Sequence, residues 1–266
     1  MIAIIGAGKM GEALLAGLLA QGHTPEDVLV TEPREEHAEE LRGRHGVETV
    51  PAEDAVKRAG TLLLALKPQD MLALLDDIAP HLSREHLVIS VAAGLTTVVL
   101  ESHLPSGTPV VRAMPNTPAL MGKGMTAVSG GAHTESAHLD RAEQLLGTVG
   151  EVIRVGEQHM DTVTAISGSG PAYFYFIAET MVEAGVAMGM PRVTAQRLVG
   201  QTITGAAAML DGSGEHPVVL REAVTSPGGT TASALRELER HGVRTAFTDA
   251  IEAARDRSRA LSGTSV

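Results

Sequence analysis

A glycine-rich segment near the start of the chain has the spacing of a dinucleotide-binding turn. Gly6, Gly8 and Gly11 follow a short apolar run, Ile2–Ile5, and lead into a segment with helical periodicity. In this pattern the first glycine allows a tight turn, the second lets the backbone approach a pyrophosphate, and the third lets the helix pack closely on the strand. The positive end of the helix dipole then binds phosphate. We predict a cofactor site formed by Gly6, Ala7, Gly8, Lys9, Met10 and Gly11; the alternative is a glycine-rich turn that binds no ligand.

Two charged residues follow the next apolar run, Val28–Thr31. Glu32 lies 21 residues beyond Gly11, where an acid accepts hydrogen bonds from the adenosine ribose and favours NAD. Arg34 is placed to meet the 2′-phosphate of NADP instead. In a third interpretation both are solvated loop charges. We therefore predict cofactor contacts at Glu32 and Arg34 and leave the choice between NADPH and NADH open.

Two further segments follow buried strands of the predicted sheet. Residues 65–68 (ALKP) end the apolar run 61–66, and residues 90–94 (SVAAG) end the next one. Ligands of open α/β sheets bind at the carboxyl edge, where these segments meet. A lysine there favours contact with cofactor or substrate over an idle surface charge, and the small residues leave room for a flat ring. The predicted cofactor contacts are Ala65, Leu66, Lys67, Pro68, Val91, Ala92 and Ala93.

The first part of the chain alternates between strand and helix patterns. Apolar runs predict strands at Ile2–Ile5, Val28–Thr31, 61–66, 87–91, 110–113, 125–129 and 152–154, and helical spacing predicts helices at 12–21, 34–45 and 69–78. Such alternation indicates βαβ units and a parallel sheet. After about residue 157 the strand patterns stop, and helices are predicted at 171–190, 192–211, 230–241 and 244–261. We predict an α/β fold with a Rossmann-type dinucleotide-binding domain, 1–157, and an all-α dimerisation and substrate domain, 158–266.

Composition narrows the functional classes. The chain has 266 residues and no cysteine, which excludes disulfides, thiolate nucleophiles and cysteine-ligated metal clusters. A net charge of −11 argues against nucleic acid and anionic membranes as partners. The 11 histidines include no His-x-x-x-His pair, so we expect no metal site. The N-terminus lacks a charged region before its apolar run and a cleavage site, so we expect a cytoplasmic protein.

Three later motifs make the chain resemble the Δ1-pyrroline-5-carboxylate reductase family. They are residues 112–118 (RAMPNTP), 167–172 (SGSGPA) and 224–231 (VTSPGGTT), in the family's order behind the opening GAGKMG. The resemblance implies NAD(P)H-dependent reduction of pyrroline-5-carboxylate to L-proline, the last step of proline biosynthesis. It implies a homodimer through the helical domain, which relatives assemble into larger rings. It also places Asn116 at the cofactor, Glu157 at the substrate and Thr231 at the reacting nitrogen.

The last motif suits a substrate carboxylate on physical grounds as well. Residues 227–229 (PGG) form a turn, and Thr230 or Thr231 is placed to cap a helix over 232–241. Backbone N–H groups at such a junction bind a carboxylate without any net positive charge. The predicted substrate contacts are Ser226, Gly228, Gly229, Thr230, Thr231 and Glu157; plain helix capping by Ser226, Thr230 and Thr231 is the alternative.

The lysine distribution separates this chain from related two-domain reductases of β-hydroxy acids. Those enzymes use a catalytic lysine in the helical domain, whereas lysines occur here only at 9, 57, 67 and 123. A protonated imine is already electrophilic, so a hydroxyl that orients and relays the nitrogen's proton suffices, and Thr231 matches that family position. A dinucleotide-sensing dimer without turnover and a reductase of a related cyclic imine are the alternatives; the substrate turn argues against the sensor.

Overall fold

The computed structural model describes residues 1–263. Its strands are β1 (Ile2–Ile5), β2 (Val28–Thr31), β3 (Glu48–Thr49), β4 (Thr61–Leu64), β5 (Leu87–Ser90), β6 (Val110–Met114), β7 (Gly124–Gly130) and β8 (Gly150–Arg154). The α-helices in the first part of the chain are α1 (Lys9–Ala20), α2 (Glu35–His45), α3 (Ala52–Arg58), α4 (Pro68–Ile78), α5 (Thr97–Ser102), α6 (Ser136–Leu146) and α7 (Met160–Val163). The later ones are α8 (Gly170–Ala187), α9 (Arg192–Gly212), α10 (Pro217–Ala223), α11 (Thr230–Arg240) and α12 (Val243–Leu261).

The strands form one sheet in the order β3-β2-β1-β4-β5-β6-β7-β8. All neighbouring pairs are parallel except β6 with β7. The register sets Ile5 beside Leu64, Leu64 beside Ser90, and Ser90 beside Arg112. The carboxyl ends of β1, β4 and β5 therefore lie level at one edge of the sheet.

Burial on both faces explains why the central strands are continuous apolar runs. Ile2 and Ile4 pack into the hydrophobic cluster on one face of the sheet, and Ala3 and Ile5 pack into the cluster on the other face. All four residues are fully buried. This two-sided burial stabilises the central strands of the sheet.

The contacts divide the chain into two compact units. One contains Met1–Ser169 and the chain from Ala254 onwards, and the other contains Gly170–Ala253. The second unit consists of helices within its bounds, with a small cluster of buried residues at Val182, Ala195 and Val199. The short helical segments at Glu157–His159 and Thr164–Gly168 group with the sheet, so this division comes later than 157/158. The functional boundary at 157/158 stays a prediction.

The fold class is confirmed, and several details differ from the sequence-based expectation. The parallel sheet contains one antiparallel pair, because residues 115–123 between β6 and β7 are fewer than the dozen or more that a parallel crossover needs. Strand β4 ends at Leu64 instead of residue 66, and α1 begins at Lys9 instead of residue 12. Strand β3 and the helices α3, α5, α6, α7 and α10 were not predicted.

The long apolar segment of α8 is no membrane span. Among residues 1–263, the structure contains no helix that combines the length and the apolar character needed to cross a membrane.

Candidate functional site

The three glycines of the first loop have different surroundings. Gly6 has φ +93°, and a side chain there would lie 2.9 Å from the carbonyl oxygen of Ala65. A side chain at Gly11 would collide with the carbonyl oxygen of Gly6. By contrast, no atom lies within 4 Å of the position that a Cβ of Gly8 would occupy. The protein's own packing therefore requires Gly6 and Gly11, and the space beside Gly8 is open to a ligand.

The helix that follows offers free donors at this open space. Gly8 is the N-cap of α1, without a side-chain cap, and the first helical bond runs from the N–H of Glu12 to the carbonyl of Gly8. The N–H groups of Lys9, Met10 and Gly11 thus have no partner within the helix. Free N–H groups beside a cradle that a Cβ would fill suit the pyrophosphate of a dinucleotide. These residues fit the predicted cofactor.

Glu32 and Arg34 form an ion pair just beyond β2. Arg34 donates from Nε to Glu32 Oε1 at 2.9 Å and from Nη2 to Oε2 at 3.3 Å, and its backbone N–H donates to Oε1 at 3.0 Å. The Glu32 side chain is 4% exposed, whereas Arg34 is 68% exposed. Burial opposes ionisation of Glu32, but the hydrogen bonds from Arg34 outweigh it and lower the pKa of the carboxyl. Glu32 is therefore a buried, ionised carboxylate whose charge is balanced by Arg34, and the guanidinium of Arg34 is exposed to solvent.

A histidine that the sequence did not single out also contacts the glycine loop. His37, on the first turns of α2, places Nε2 2.9 Å from the carbonyl oxygen of Ala7. The two residues are 30 positions apart, and the pattern of the sequence contains no signal for this contact. Ala7 itself is buried.

The predicted segments after β4 and β5 lie side by side at the carboxyl edge. The N–H of Ala65 still donates to Ile5 at 2.8 Å, and the N–H of Val91 donates to Leu64 at 3.0 Å. Lys67 is the N-cap of α4 and is exposed, with Pro68 at the first helical position. In the described chain, no ion pair engages its ammonium group. The fold thus brings the segments 65–68 and 91–93 to the same edge as the glycine loop.

Glu157 is engaged by a buried arginine of β6. Arg112 is 2% exposed and donates from Nη1 to Glu157 Oε1 at 2.7 Å. The same carboxylate oxygen lies 3.4 Å from the backbone nitrogen of Thr97, which is long for a hydrogen bond. Within the described residues, Arg112 Nε and Nη2 and Glu157 Oε2 are buried without a hydrogen-bond partner. Glu157 therefore lies in the sheet unit and joins β6, and its predicted contact with substrate stays a prediction.

Asn116 bridges three segments of the sheet unit. Its Nδ2 donates to the carbonyl of Ser167 at 3.0 Å, and its Oδ1 accepts from the N–H of Met125 at 2.9 Å. These bonds tie the loop after β6 to β7 and to the π-helical turn Thr164–Gly168. The side chain already has a structural role, and its predicted contact with the cofactor stays a prediction.

The predicted substrate turn lies in the helical unit. The N–H of Gly229 donates to the carbonyl of Ser226 at 3.0 Å and closes the turn, and Gly228 has φ +71°. Helix α11 begins at Thr230 with Gly229 as N-cap, so capping by Thr230 or Thr231 is wrong. Gly229 adopts the extended conformation of an N-cap, and both threonines are already in the first helical turn. Their hydroxyls, and the first N–H groups of α11, are not used by a cap.

Among residues 1–263, no group of three or more histidines or acidic residues is arranged to hold a metal ion.

Comparison with known proteins adds family information to this geometry. Residues 157–261 match the family model for pyrroline-5-carboxylate reductase dimerisation, and residues 1–94 match the model for coenzyme F420-dependent NADP oxidoreductases. A pyrroline-5-carboxylate reductase of Corynebacterium melassecola is 43% identical over 264 residues, which is 98% of each chain.

Two solved structures are similar over nearly the whole chain. The structure of a pyrroline-5-carboxylate reductase from Coxiella burnetii superposes with a TM-score of 0.94 at 35% identity and covers 98% of each chain. A pyrroline carboxylate reductase from Plasmodium falciparum, with NADP bound, has a TM-score of 0.87 at 30% identity and covers 98% of this chain and 97% of its own.

Proposed function

This chain belongs to the pyrroline-5-carboxylate reductase family, and we propose that it prefers NADPH as the hydride donor. It is an NAD(P)-dependent oxidoreductase that reduces pyrroline-5-carboxylate to proline. The bound cofactor supplies a hydride to the imine carbon. The observation that supports this function best is the open cradle at Gly8 beside free N–H groups of α1, in a chain similar to these reductases along nearly its whole length.

The Glu32–Arg34 pair supports the preference for NADPH. An unpaired Glu32 would repel a 2′-phosphate, but the pair carries no net charge. Because Arg34 is held bidentately on one side and 68% exposed, it can bind a phosphate with little loss of side-chain freedom. NADH is the alternative donor, with Glu32 released from Arg34 to bind the ribose.

The other contacts of the cofactor follow from the same edge of the sheet. We propose that residues 6–11 hold the pyrophosphate and that residues 65–68 and 91–93 face the nicotinamide half. Their level register at the carboxyl edge supports this assignment. Asn116 is proposed to act there through the remaining hydrogen-bonding capacity of its amide.

The turn before α11 is proposed to bind the substrate carboxylate. Ser226, Gly228, Gly229 and Thr230 supply hydroxyl and backbone donors, and the dipole of this helix of 11 residues favours an anion. Thr231 would orient the ring nitrogen and hold its proton as the hydride arrives. The absence of a side-chain cap on α11 supports these roles, because the hydroxyls are not engaged at the helix terminus. Glu157 is proposed as a further substrate contact.

The chain forms a homodimer through the region that matches the dimerisation model. We propose that residues 158–266 form this dimerisation and substrate domain, that residues 1–157 bind the cofactor, and that the dimers assemble further into a ring. Exposed apolar side chains on α8, including Phe174, Tyr175 and Phe176, support the position of the dimer interface. Light scattering in solution measures whether the mass is that of a dimer or of a larger ring.

A coupled pair of variants tests the proposed cofactor preference. With pyrroline-5-carboxylate as substrate, the decrease in absorbance of the reduced nicotinamide as it is oxidised gives kcat/KM for NADPH and for NADH. Arg34→Ala should lower the ratio of NADPH to NADH about tenfold, because a charge-assisted contact to phosphate is lost. Glu32→Ser should raise the ratio, because NADH loses the carboxylate that would bind its ribose and the 2′-phosphate of NADPH meets one negative charge fewer. Lys57→Ala, which removes a cation from an exposed pair with Glu53, is the matched control and should leave the ratio unchanged.

The outcomes separate the function from the preference. If neither cofactor is oxidised, the reductase function is refuted. If turnover is normal but Arg34→Ala leaves the ratio unchanged, only the role of Arg34 is wrong.

A further inference from the structure

His37 connects the second helix of the sheet unit to the glycine loop. Its Nε2 lies 2.9 Å from the carbonyl oxygen of Ala7, and its Nδ1 lies 3.2 Å from Glu40 Oε2 on the same helix. The side chain is 20% exposed. Both neighbours are acceptors, and a neutral imidazole has only one N–H to donate. Only the imidazolium satisfies both contacts at once.

The surrounding charges favour that protonated form. The Ala7 carbonyl raises the pKa of His37 most, the Glu40 carboxylate adds to it, and the charge of Glu32 acts in the same direction. Partial burial and the charge of Arg34 oppose them but do not cancel the rise above the usual 6.5. Glu12, on α1, is occupied by Arg44 and His45 of α2. The net result is that His37 places a cation beside the glycine loop, in which Lys9 is the basic residue.

We propose that His37 is a positioning residue for the cofactor: its protonated ring fixes the Ala7 carbonyl and places a positive charge beside the pyrophosphate loop, so that dinucleotide affinity falls as the pH rises. This inference rests on the proposed use of residues 6–11 to hold the pyrophosphate. The contact with His37 ties the Ala7 carbonyl to α2, so this acceptor is not left free beside the proposed phosphate site. In a chain with a net charge of −11, a local cation also offsets part of the repulsion of an anionic ligand.

The direction of the pH effect follows from linkage. An anion at the loop stabilises the imidazolium, so binding takes up protons wherever free His37 is partly neutral. The added affinity is fully present below the pKa of His37 in the free protein and is lost as the pH rises through the higher pKa of His37 in the complex. A charge near a partly solvated anion contributes about 1 kcal/mol, which corresponds to about fivefold in Kd.

NADH is the sharper probe for this effect. The 2′-phosphate of NADPH has a second pKa of about 6 and titrates in the same range, whereas NADH lacks that group. We would titrate the wild-type enzyme with NADH by its fluorescence between about pH 6 and about pH 9, a range that spans histidine titration. The comparison uses His37→Gln, whose amide retains a neutral donor, and His37→Arg, which is charged throughout. The matched control is His103→Gln, which breaks a pair with Asp76 at 2.6 Å elsewhere in the sheet unit.

The wild type and His103→Gln should lose about fivefold in NADH affinity across this range. His37→Gln should bind weakly with a flat profile, and His37→Arg should give a flat profile at any affinity. Melting curves without NADH show whether each variant is folded. If His37→Gln is not folded, the slope of NADH affinity against pH in His37→Arg decides whether the inference holds. A slope that persists in the folded His37 variants, or a flat wild-type profile, overturns the inference and leaves the proposed function standing. A wild type that binds neither NADH nor NADPH at any pH refutes both.

Discussion

Replacement of Gly8 by valine should separate ligand binding from folding. Gly8 has φ −66° and ψ −173°, an extended conformation that any residue adopts, and no atom lies within 4 Å of the added Cβ. Valine is a poor N-cap, so the cost in stability is about 1 kcal/mol, or about 2–4 °C in Tm for a protein of this size. The added methyl groups would instead fill the space that we assign to the pyrophosphate.

The loss of affinity can be estimated from the donors at this position. Displacement of the phosphates costs hydrogen bonds from at least two of the N–H groups of Lys9, Met10 and Gly11. At about 1.5–3 kcal/mol for each bond to a charged group, the loss is at least about 3 kcal/mol, which is more than about a hundredfold in Kd. Fluorescence titration with NADPH measures this change directly, and thermal denaturation of the same sample measures the change in Tm.

Two glycine variants provide the controls. Gly60→Val also places its side chain in open space but lies before β4, so NADPH affinity should be unchanged. Gly11→Ala should instead lower Tm strongly, because its Cβ would collide with the Gly6 carbonyl. Normal NADPH binding by folded Gly8→Val would show that the open space is not the cofactor site, and the whole assignment of residues 6–11 would fall with it.

The remaining predictions concern the substrate side. Thr231→Val should lower kcat about tenfold or more, because general acid–base assistance by a side chain contributes at least this much. Ser226→Ala should chiefly raise KM for pyrroline-5-carboxylate. Full kcat in Thr231→Val would mean that the proton reaches the ring nitrogen without this hydroxyl. Glu157→Gln should raise KM for the substrate if the carboxylate contacts it, and should lower Tm because the buried Arg112 loses its charged partner. A lower Tm with unchanged KM would leave Glu157 a structural role alone.

The sequence predicted the elements whose signal is local. Ile2–Ile5 and Val28–Thr31 were found with their correct bounds, because strands buried on both faces are uninterrupted apolar runs. Strand β3 escaped because it is a polar pair of residues at the sheet edge, held by register with β2 and by no pattern of its own. The antiparallel direction of β7 depends on the length of the connection before it. An apolar run predicts where a strand lies but not the direction in which it runs.

The site shows the same division between local and long-range information. The spacing predicted a tight turn at Gly6 and close packing at Gly11, and the structure has a positive φ at Gly6 and the Gly6 carbonyl against Gly11. The pyrophosphate contact at Gly8 stays a prediction. The contacts of His37 with Ala7 and of Arg112 with Glu157 join residues 30 and 45 positions apart, and only the folded sheet brings them together. The pairing of Glu32 with Arg34 is local, but it depends on the conformation of the backbone beyond β2. From the sequence, Glu32 therefore indicated NAD and Arg34 indicated NADP, and their pairing was not predicted.

The acidic character of the chain accounts for the kind of anion sites that we propose. Many of the arginines already form ion pairs with acidic side chains, as Arg58 does with Glu48 and Arg192 does with Glu183, so surplus cations are scarce. Backbone N–H groups at helix termini carry no counterion and are not neutralised by the 32 acidic residues. The phosphate cradle proposed at α1 and the carboxylate turn proposed at α11 would therefore let an acidic protein bind two anionic ligands. Beside the proposed cofactor site, Arg34 and His37 are themselves paired with Glu32 and Glu40. We therefore expect these two cations to tune specificity and pH response, in addition to the binding that the backbone N–H groups supply.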